Sequence, residues 1–167
     1  MYSLEKLKSY DIIQKDAIKF KKNYFDEFSN FEILKNPISD EKGLKYDSVE
    51  NYYQSRKSRD EDTWKLFSLL DGKGISPFQA KKIGRTITMR EDWDIVKYDF
   101  MREGLRQKFL KNPELKEKLL STDDKQIIEW TYWGDMTWGM SDKLGAGANA
   151  LGKLLMELRE FIKFNKL

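Results

Sequence analysis

Residues 46–58, with the sequence YDSVENYYQSRKS, carry four side chains whose types and spacing could support chemistry. Their positions are i, i+3, i+4 and i+7, so a helix would place all four on one face. That face combines a carboxylate, a phenol, an amide and an amine, with no aliphatic side chain. It is either the solvated exterior of a helix or the floor of a site, and the spacing alone favours the exterior. The four residues are Glu50, Tyr53, Gln54 and Lys57.

The composition restricts the chemistry that this chain can perform. It contains neither cysteine nor histidine, which excludes disulfides, thiolate nucleophiles, the usual zinc sites and any catalytic histidine. Catalysis would therefore use carboxylates, lysines, tyrosines, backbone amides or a hard metal such as magnesium. The net charge of +3 is too small to indicate a nucleic-acid-binding protein by itself. The aromatic residues, 14% of the chain, are more often explained by a ring-rich core than by base stacking.

The chain length and the hydropathy pattern indicate a single globular domain. A chain of 167 residues is long enough to bury a full core. No uninterrupted apolar run approaches the roughly 18 residues that a membrane-spanning helix requires, and the N-terminus lacks the apolar stretch of a secretory signal. We therefore expect a cytoplasmic protein that does not associate with membranes.

Short periodic segments predict the elements that would position these side chains. Residues 4–22 are predicted to form a lysine-rich, helical or loosely packed lead-in, and the alternating apolar residues of FSNFEIL (28–34) predict a strand. The segment LKY (44–46) predicts a second strand. Ser48 is a good N-cap for a helix that carries Glu50 in its first turn.

Further helices and one more strand are expected along the rest of the chain. The segment QIIEW (126–130) predicts the strand, and Ser76 followed by Pro77 predicts a helix start. Together, the predicted elements indicate a mostly helical α+β domain with a few short strands. The remaining helices are predicted over 63–71, over 92–110, from Pro113 and from about residue 150.

A long segment rich in Gly, Trp and Asp lies at residues 131–149, before the last helix. A loop of this length is usually functional or disordered, and its two tryptophans argue against disorder. Its end, GAGAN, leads directly into the helix, which suggests an anion site built from backbone amides, with a flexible helix entry as the alternative. Asp135 is either a ligand or a loop cap, and the cap is the commoner role.

Six segments of the chain form a recognisable series, which spans residues 28 to 162. In order they are FSNF, YDSVENYYQSRK, AKKIGR, REDWDIVKYDFMREGLRQKFLKNPELKEKLLST, DMTWG and GAGANALGKLLMELR. Together they resemble the NADAR superfamily, which is also called YbiA-like. We therefore assign residues 23–167 to a NADAR-like domain and residues 1–22 to a lysine-rich N-terminal extension.

The resemblance implies a single α+β domain that binds ADP-ribose-like or ribose-phosphate ligands and cleaves N-glycosidic bonds. Two activities are associated with the family. One removes ADP-ribose from modified guanine in nucleic acid and so reverses a toxin. The other hydrolyses phosphorylated intermediates of riboflavin synthesis and releases ribose 5-phosphate. The resemblance implies no metal or redox cofactor, and the sequence gives no sign of an obligate protein partner. The lysine-rich N-terminus and the absence of a fused riboflavin domain favour ADP-ribosylated guanine in DNA or RNA.

The family motifs also imply roles for individual residues. Glu50, Lys57 and Asp135 fall on positions expected to be catalytic. Asn51 is a departure, because many members have histidine there, but its position away from the Glu50 face argues against a role in proton transfer. Trp93 is also expected to lie in the core. The expected substrate-binding positions are Asn30, Tyr53, Gln54, Arg85, Trp93, Trp138, Gly139, Gly147 and Asn149.

These residues suit cleavage of an N-glycosidic bond, which builds positive charge at the anomeric carbon. The Glu50 carboxylate would stabilise that charge or align water. Lys57 would hold a phosphate or a proton, or attack the opened sugar as a Schiff base, and the sequence leaves these roles open. Arg85 is a candidate for phosphate binding and Trp138 for base stacking. The alternatives to an enzyme are a non-catalytic ADP-ribose or nucleotide-binding module and a structural interaction domain.

Overall fold

The fold is taken from a computed structural model, which describes residues 1–21 and 27–167. The predicted class, mostly helical α+β with a few short strands, is confirmed. Within the described residues, no helix is both long enough and apolar enough to cross a membrane. In chain order, the elements of the described residues are α1 (Leu4–Lys8), β1 (Ile18–Phe20), β2 (Ile38–Ser39), β3 (Lys45–Tyr46), α2 (Val49–Ser55), α3 (Glu61–Phe67), α4 (Pro77–Ile83), α5 (Trp93–Lys111), α6 (Pro113–Leu120), β4 (Ile127–Thr131), β5 (Met140–Ser141) and α7 (Ala150–Asn165).

The chain folds into two compact units. The first unit comprises Met1–Ser29 and Glu114–Leu167, and the second comprises Asn30–Pro113. In the first unit, a parallel sheet has the strand order β1-β4-β5, and α7 packs against β4. Gly152 permits this packing, because a Cβ atom there would lie 2.1 Å from the carbonyl oxygen of Ile127.

The second unit is built around α2. An antiparallel hairpin of β2 and β3 precedes this helix, which packs against α3, α4 and α5. The helix begins where predicted, because the Ser48 side chain accepts a hydrogen bond from the backbone amide of Asn51. All seven residues of α2 are buried, so this helix is surrounded by protein on every side.

Two predicted elements of the second unit differ from the structure. The strand predicted over residues 28–34 is wrong: the chain turns there instead, and Ile33 of its apolar pattern is 56% exposed. The helix predicted over 63–71 begins earlier, at Glu61, because the Asp60 side chain caps it by accepting the Thr63 amide at 2.8 Å. It also ends earlier, at Phe67.

Two predicted segments of the first unit contain structure that the sequence patterns did not indicate. The lead-in at residues 4–22, predicted to be helical or loosely packed, contains the helix α1, and it also contains the unpredicted strand β1, which pairs with β4. The long segment at 131–149 contains β5, which pairs in parallel with the end of β4. The predicted boundary between residues 22 and 23 lies outside the described residues.

Candidate active site

Glu50 lies inside the second unit, in the first turn of α2. Its backbone amide donates to the carbonyl oxygen of Asn30 at 2.9 Å, and its side chain accepts a bond from Gln54 Nε2 at 2.9 Å. The exposed fractions are only 2% for Glu50 and 5% for Gln54. The polar face of α2 is therefore not a solvated exterior. A buried carboxylate is costly unless it is hydrogen-bonded, and Gln54 supplies such a bond one helical turn away.

Gly84, at the end of α4, makes room for the Gln54 side chain. A Cβ atom at position 84 would lie 1.8 Å from Gln54 Oε1, well inside van der Waals contact. Gln54 Oε1 is buried and has no hydrogen-bond partner among the described residues. The glycine of the Gly84–Arg85 step is therefore required by the close approach of α4 to the carboxamide that holds Glu50.

Lys57 reaches the same region from beyond the helix. The prediction that it continues the helical face is wrong, because α2 ends at Ser55 and Arg56 is its C-cap. Lys57 lies in the turn that follows, and its Nζ donates to the carbonyl oxygen of Gly84 at 2.9 Å. Gly84 thus contacts both Gln54 and Lys57. The Lys57 amine is positioned by the turn after α2, although the sequence predicted that a longer helix would position it.

The other predicted positions of the second unit have different surroundings. The rings of Tyr53 and Trp93 are 4.9 Å apart and both are buried, so the expectation that Trp93 lies in the core is confirmed. Asn30 is buried, and its Nδ2 donates to the sulfur of Met101 at 3.5 Å. Arg85 is exposed immediately after Gly84.

A cavity of about 580 Å³ lies beside the turn that carries Lys57. Its walls are two chain segments, residues 58–60 and 88–91, which are joined where the Arg90 amide donates to the Lys57 carbonyl oxygen at 2.7 Å. The volume falls within the range of small-molecule sites, roughly 300–1,000 Å³. The second unit therefore has a cleft of ligand size beside the Lys57 turn, and its lining does not include Glu50, Gln54, Lys57 or Arg85.

Arg56 is a buried cation that sequence analysis did not single out. Its guanidinium lies 4.1 Å from the ring centre of Trp64, pairs with the carboxylates of Asp40 and Glu41, and donates to the Tyr46 hydroxyl at 3.0 Å. A buried arginine needs such partners to offset its desolvation. This cluster anchors the C-terminal end of α2, directly before Lys57.

Asn51, at the position where the resemblance implies histidine in many members, makes hydrogen bonds that hold the fold together. Its Nδ2 donates to the carbonyl oxygens of Ile75 at 2.8 Å and Phe67 at 3.3 Å, and its Oδ1 accepts from the Ser48 hydroxyl. These bonds tie α2 to the chain segments around α3 and α4. They account for an amide at this position without any role in proton transfer.

Asp135 and Trp138 lie in the first unit. Asp135 Oδ1 accepts the backbone amides of Thr137 at 3.0 Å and Trp138 at 2.9 Å, so the interpretation of Asp135 as a loop cap is confirmed. A catalytic role for Asp135 stays a prediction. Trp138 is half-buried, and its position in the loop is set by this cap.

The segments DMTWG (135–139) and GAGAN (145–149), here called the closing motif, contain two sites of close backbone packing, Gly139 and Gly147. A Cβ atom at Gly147 would lie 2.3 Å from the carbonyl oxygen of Gly139, and one at Gly139 would lie 2.5 Å from that of Glu129. Both positions therefore exclude any side chain. They bring the loop of residues 136–139 against the start of α7.

The predicted anion site at the start of α7 is not formed from its backbone amides. The four amides of residues 148–151 donate to the carbonyl oxygens of Met136, Gly139, Thr137 and Trp138, at 2.7 to 3.2 Å. An anion there would have to displace these bonds. The amides of residues 148–151 are therefore not free donors, while Gly147 and Asn149 as substrate-binding positions stay predictions. Gly147 serves loop packing, whereas Gly145 has a positive φ of 59° and open space around it.

Asn149, the residue before α7, is a buried connector. It adopts a left-handed conformation with φ of 51°, which asparagine tolerates better than most residues. Its Oδ1 accepts the Glu129 amide at 3.1 Å, and its Nδ2 donates to the Ile127 carbonyl oxygen at 2.9 Å and to Asp11 at 3.3 Å. Its position in the closing motif is thus explained by its bonds to β4.

Metal binding has no evident place in the part of the chain that the structure describes. Among residues 1–21 and 27–167, no group of three or more acidic side chains is arranged to hold a metal ion. The candidate residues described above are the buried carboxylate of Glu50 and the amine of Lys57.

Comparison with known proteins decides which family this arrangement represents. The family model described as NADAR domain matches residues 16–163, which include all of the second unit and most of the first. The chain belongs to the NADAR domain family. The match begins within the segment predicted to precede the domain, and it contains every candidate residue named above.

Several proteins are similar to this NADAR domain over most of its length. The N-glycosidase YbiA of Escherichia coli is 35% identical over 148 residues, covering 85% of this chain and 84% of its own. The N-glycosidase Npun_R5314 of Nostoc punctiforme is 37% identical over 118 residues, covering 70% of this chain and 74% of its own. The NMR structure of the E. coli protein YbiA superposes with a TM-score of 0.75 at 32% identity, covering 93% of this chain and 90% of that one.

These similarities confirm the family resemblance and the enzyme class predicted from the sequence, an N-glycosidase. A more distant relative carries a different name. The chloroplastic riboflavin biosynthesis protein PYRR of Zea mays is 34% identical over 148 residues, which cover 83% of this chain but only 23% of that protein.

Proposed function

We propose that this NADAR domain hydrolyses the N-glycosidic bond between ribose and a guanine base, removing ADP-ribose from ADP-ribosylated guanine in nucleic acid. The observation that carries the proposal is the buried pair of Glu50 and Gln54, with the Lys57 amine directed to Gly84 beside it. A buried carboxylate held in one orientation is the group that an oxocarbenium-like transition state requires.

Glu50 acts in this proposal on the sugar carbon. As the bond from ribose to the base breaks, positive charge develops at the anomeric carbon, and the carboxylate stabilises it or orients the attacking water. Low local dielectric strengthens this interaction, because Glu50 is 2% exposed. Gln54 keeps the carboxylate from rotating, so little reorganisation is needed during the reaction.

Lys57 contributes a cation, or a nucleophilic amine, close to Glu50. Its bond to the Gly84 carbonyl oxygen fixes where the amine lies before a ligand binds. As a cation it attracts a phosphate or a departing base. As a neutral amine it attacks the opened sugar and forms a Schiff base. Arg85, exposed next to Gly84, is the proposed phosphate ligand, since a guanidinium binds phosphate oxygens in pairs.

A second substrate class is favoured by one specific observation. The similarity to the riboflavin biosynthesis protein PYRR supports phosphorylated riboflavin intermediates as an alternative. Both substrates present an N-linked ribose and a phosphate, so the same Glu50 chemistry would serve either. A non-catalytic nucleotide-binding module is the alternative of another class, and the presence of both Glu50 and Lys57 argues for the enzyme. We propose a cytoplasmic location, where either substrate would be encountered.

The substrate is identified by direct comparison of products. The protein is incubated separately with an oligonucleotide that carries ADP-ribosylated guanine and with the phosphorylated riboflavin intermediates, and mass spectrometry follows the release of ADP-ribose or ribose 5-phosphate. Release of ADP-ribose with restoration of unmodified guanine supports the proposal. Turnover of the riboflavin intermediates alone establishes the second class instead, and saturable binding without any product establishes the binding module.

A further inference from the structure

Two lysine side chains, one in β1 and one directly after it, lie over aromatic rings in and directly after β4, within the first unit. Lys19 Nζ lies 4.4 Å from the ring centre of Trp130, and Lys21 Nζ lies 4.4 Å from that of Tyr132. Both lysines and both rings are two positions apart, which is the period of one face of a strand. We call these four residues, together with the adjacent Trp133, the lysine–aromatic ladder.

The register of the sheet accounts for the repetition in this ladder. Strand β1 pairs in parallel with β4, with Lys19 opposite Ile128, so Lys19 reaches the ring two positions further along the partner strand. Lys21 makes the same step to Tyr132. The two amine–ring contacts are therefore set by strand pairing, and they follow one another towards the carboxyl ends of both strands. Ligands of parallel α/β sheets commonly bind at such ends.

Two rings of the ladder are exposed to solvent rather than buried in the core. Tyr132 is 47% exposed and Trp133 is 43% exposed, although they are consecutive and large. A single exposed ring needs no explanation, but Tyr132 lies under the Lys21 amine and is followed by a second exposed ring, Trp133, so the two form a patch. The rings offer flat faces for stacking, and the amines offer positive charge at regular spacing.

We propose that the lysine–aromatic ladder binds single-stranded nucleic acid, the class of molecule in which the proposed substrate occurs. This combination of stacking rings and tracking cations is the one that single-strand binders use. The lysine charges favour a polyanion as the ligand. The exposed rings of Tyr132 and Trp133 favour unpaired bases, which can stack on them. The inference rests on the proposed function, because it adds a strand-binding surface to a guanine N-glycosidase.

Binding is measured first by fluorescence anisotropy with a labelled single-stranded oligonucleotide of about 12 nucleotides. Tyr132→Ala should weaken binding about tenfold, through loss of one stacking face. Lys19→Gln should lower the salt dependence, reducing the slope of log K against log salt by about 0.7. The matched controls are Phe164→Ala, which removes a ring that is 87% exposed on α7, and Lys8→Gln, which removes an exposed charge on α1.

Two outcomes of the binding measurement would count against the proposal. Unchanged binding in both ladder variants, or equal losses in the controls, would overturn the proposal. Duplex DNA that competes as well as the single strand would overturn the assignment to unpaired bases. Circular dichroism melting of each variant checks that the fold is retained, and Lys19→Arg should restore the salt dependence because it restores the charge.

Turnover then distinguishes the ladder from the proposed function itself. With ADP-ribosylated guanine in an oligonucleotide, Tyr132→Ala should raise KM about tenfold with little change in kcat. With the same modification on a guanine mononucleotide, neither value should change. If the wild-type protein cleaves both substrates and Tyr132→Ala alters neither reaction, the ladder inference fails while the proposed function stands. If neither substrate is cleaved, the proposed function fails and the anisotropy result still decides the ladder.

Discussion

Gln54 holds the Glu50 carboxylate across one turn of α2, by a hydrogen bond of 2.9 Å from Nε2 to Oε1. The opposite end of the same carboxamide packs against Gly84 of the neighbouring helix end. The orientation of the candidate catalytic group therefore depends on a glycine that has no chemical function of its own. The contact leaves no room for a methyl group at position 84, so an alanine there should displace the Gln54 side chain.

Gly84→Ala should lower kcat by about tenfold or more, because the new Cβ atom would displace Gln54 and release Glu50. It should also lower the free energy of unfolding by about 1–3 kcal/mol, as expected for overpacking. Steady-state kinetics and urea unfolding measure the two effects. The control is Gly84→Ala combined with Gln54→Ala, in which the collision partner is gone. The double variant should lose less stability than the sum of the single variants, and strict additivity would contradict the proposed contact.

Asp40 should make the stability of the second unit depend on acid pH. Burial raises the pKa of this carboxyl, but the hydrogen bonds from Tyr46 and the Lys42 amide, with the charge of Arg56, hold its pKa below the usual 3.8. Its contribution is therefore present above about pH 4 and is lost as the pH falls through the lowered pKa of the folded state. Asp40→Asn should cost about 3–5 kcal/mol near neutral pH, because it leaves the buried Arg56 charge poorly compensated.

Urea unfolding of both proteins over a series of pH values tests this prediction. The difference in unfolding free energy between wild type and Asp40→Asn should narrow as the pH falls below about 4. Asp99→Asn is the matched control, since its carboxylate is 75% exposed in its pair with Arg102. That change should cost less than about 1 kcal/mol. A constant difference at all pH values would rule out the ionised Asp40 as the source of the stability.

The sequence predicted the elements whose signals are local. Ser48 and Ser76 each mark a helix start through a side-chain cap, and both caps are present. The paired residues at positions 50 and 54 were also placed correctly, because they are one turn apart on a helix. The end of α2 at Ser55 was missed, since it depends on Arg56 being drawn into a cluster with residues distant in sequence.

The closing motif shows the limit of local patterns more clearly. A glycine-rich segment before a helix is typical of an anion site, yet here Gly147 allows two backbones to touch. The local sequence does not reveal that the amides at the start of α7 donate hydrogen bonds to the carbonyl oxygens of residues 136–139. The strand β1 was missed for a related reason, because three residues carry little periodicity and their partner strand is over 100 residues away.

Asn149→Ala should destabilise the first unit through the loss of hydrogen bonds within the fold. The change removes the bonds to Glu129, Ile127 and Asp11 and leaves a buried backbone amide without its acceptor, which should cost about 2 kcal/mol or more. Thermal unfolding followed by circular dichroism measures the effect. Asn165→Ala, at the exposed end of the same helix, should change the melting temperature much less. Equal effects would contradict a connecting role for Asn149.

Lys57→Arg separates the two roles that remain open for the amine. We expect the variant to retain much of the activity, because a fixed positive charge needs no change in protonation. A Schiff base needs a neutral amine, which arginine cannot provide. Borohydride added during turnover, followed by peptide mass spectrometry, gives the independent reading. A trapped sugar adduct on the Lys57 peptide, with an inactive Lys57→Arg variant, would establish the covalent route. Lys82→Arg, on the exposed side of α4, is the control for the charge-preserving change.

The role of Glu50 in catalysis is tested by comparing turnover of an ADP-ribosylated guanine oligonucleotide by wild type and by Glu50→Gln. The amide is nearly isosteric with the carboxylate, so the fold and the affinity for ADP-ribose should persist in the variant. The rate of ADP-ribose release, followed by mass spectrometry, should fall by about 10²-fold or more because the charge that stabilises the transition state is lost. Release at close to the wild-type rate would remove Glu50 from the mechanism and contradict the account.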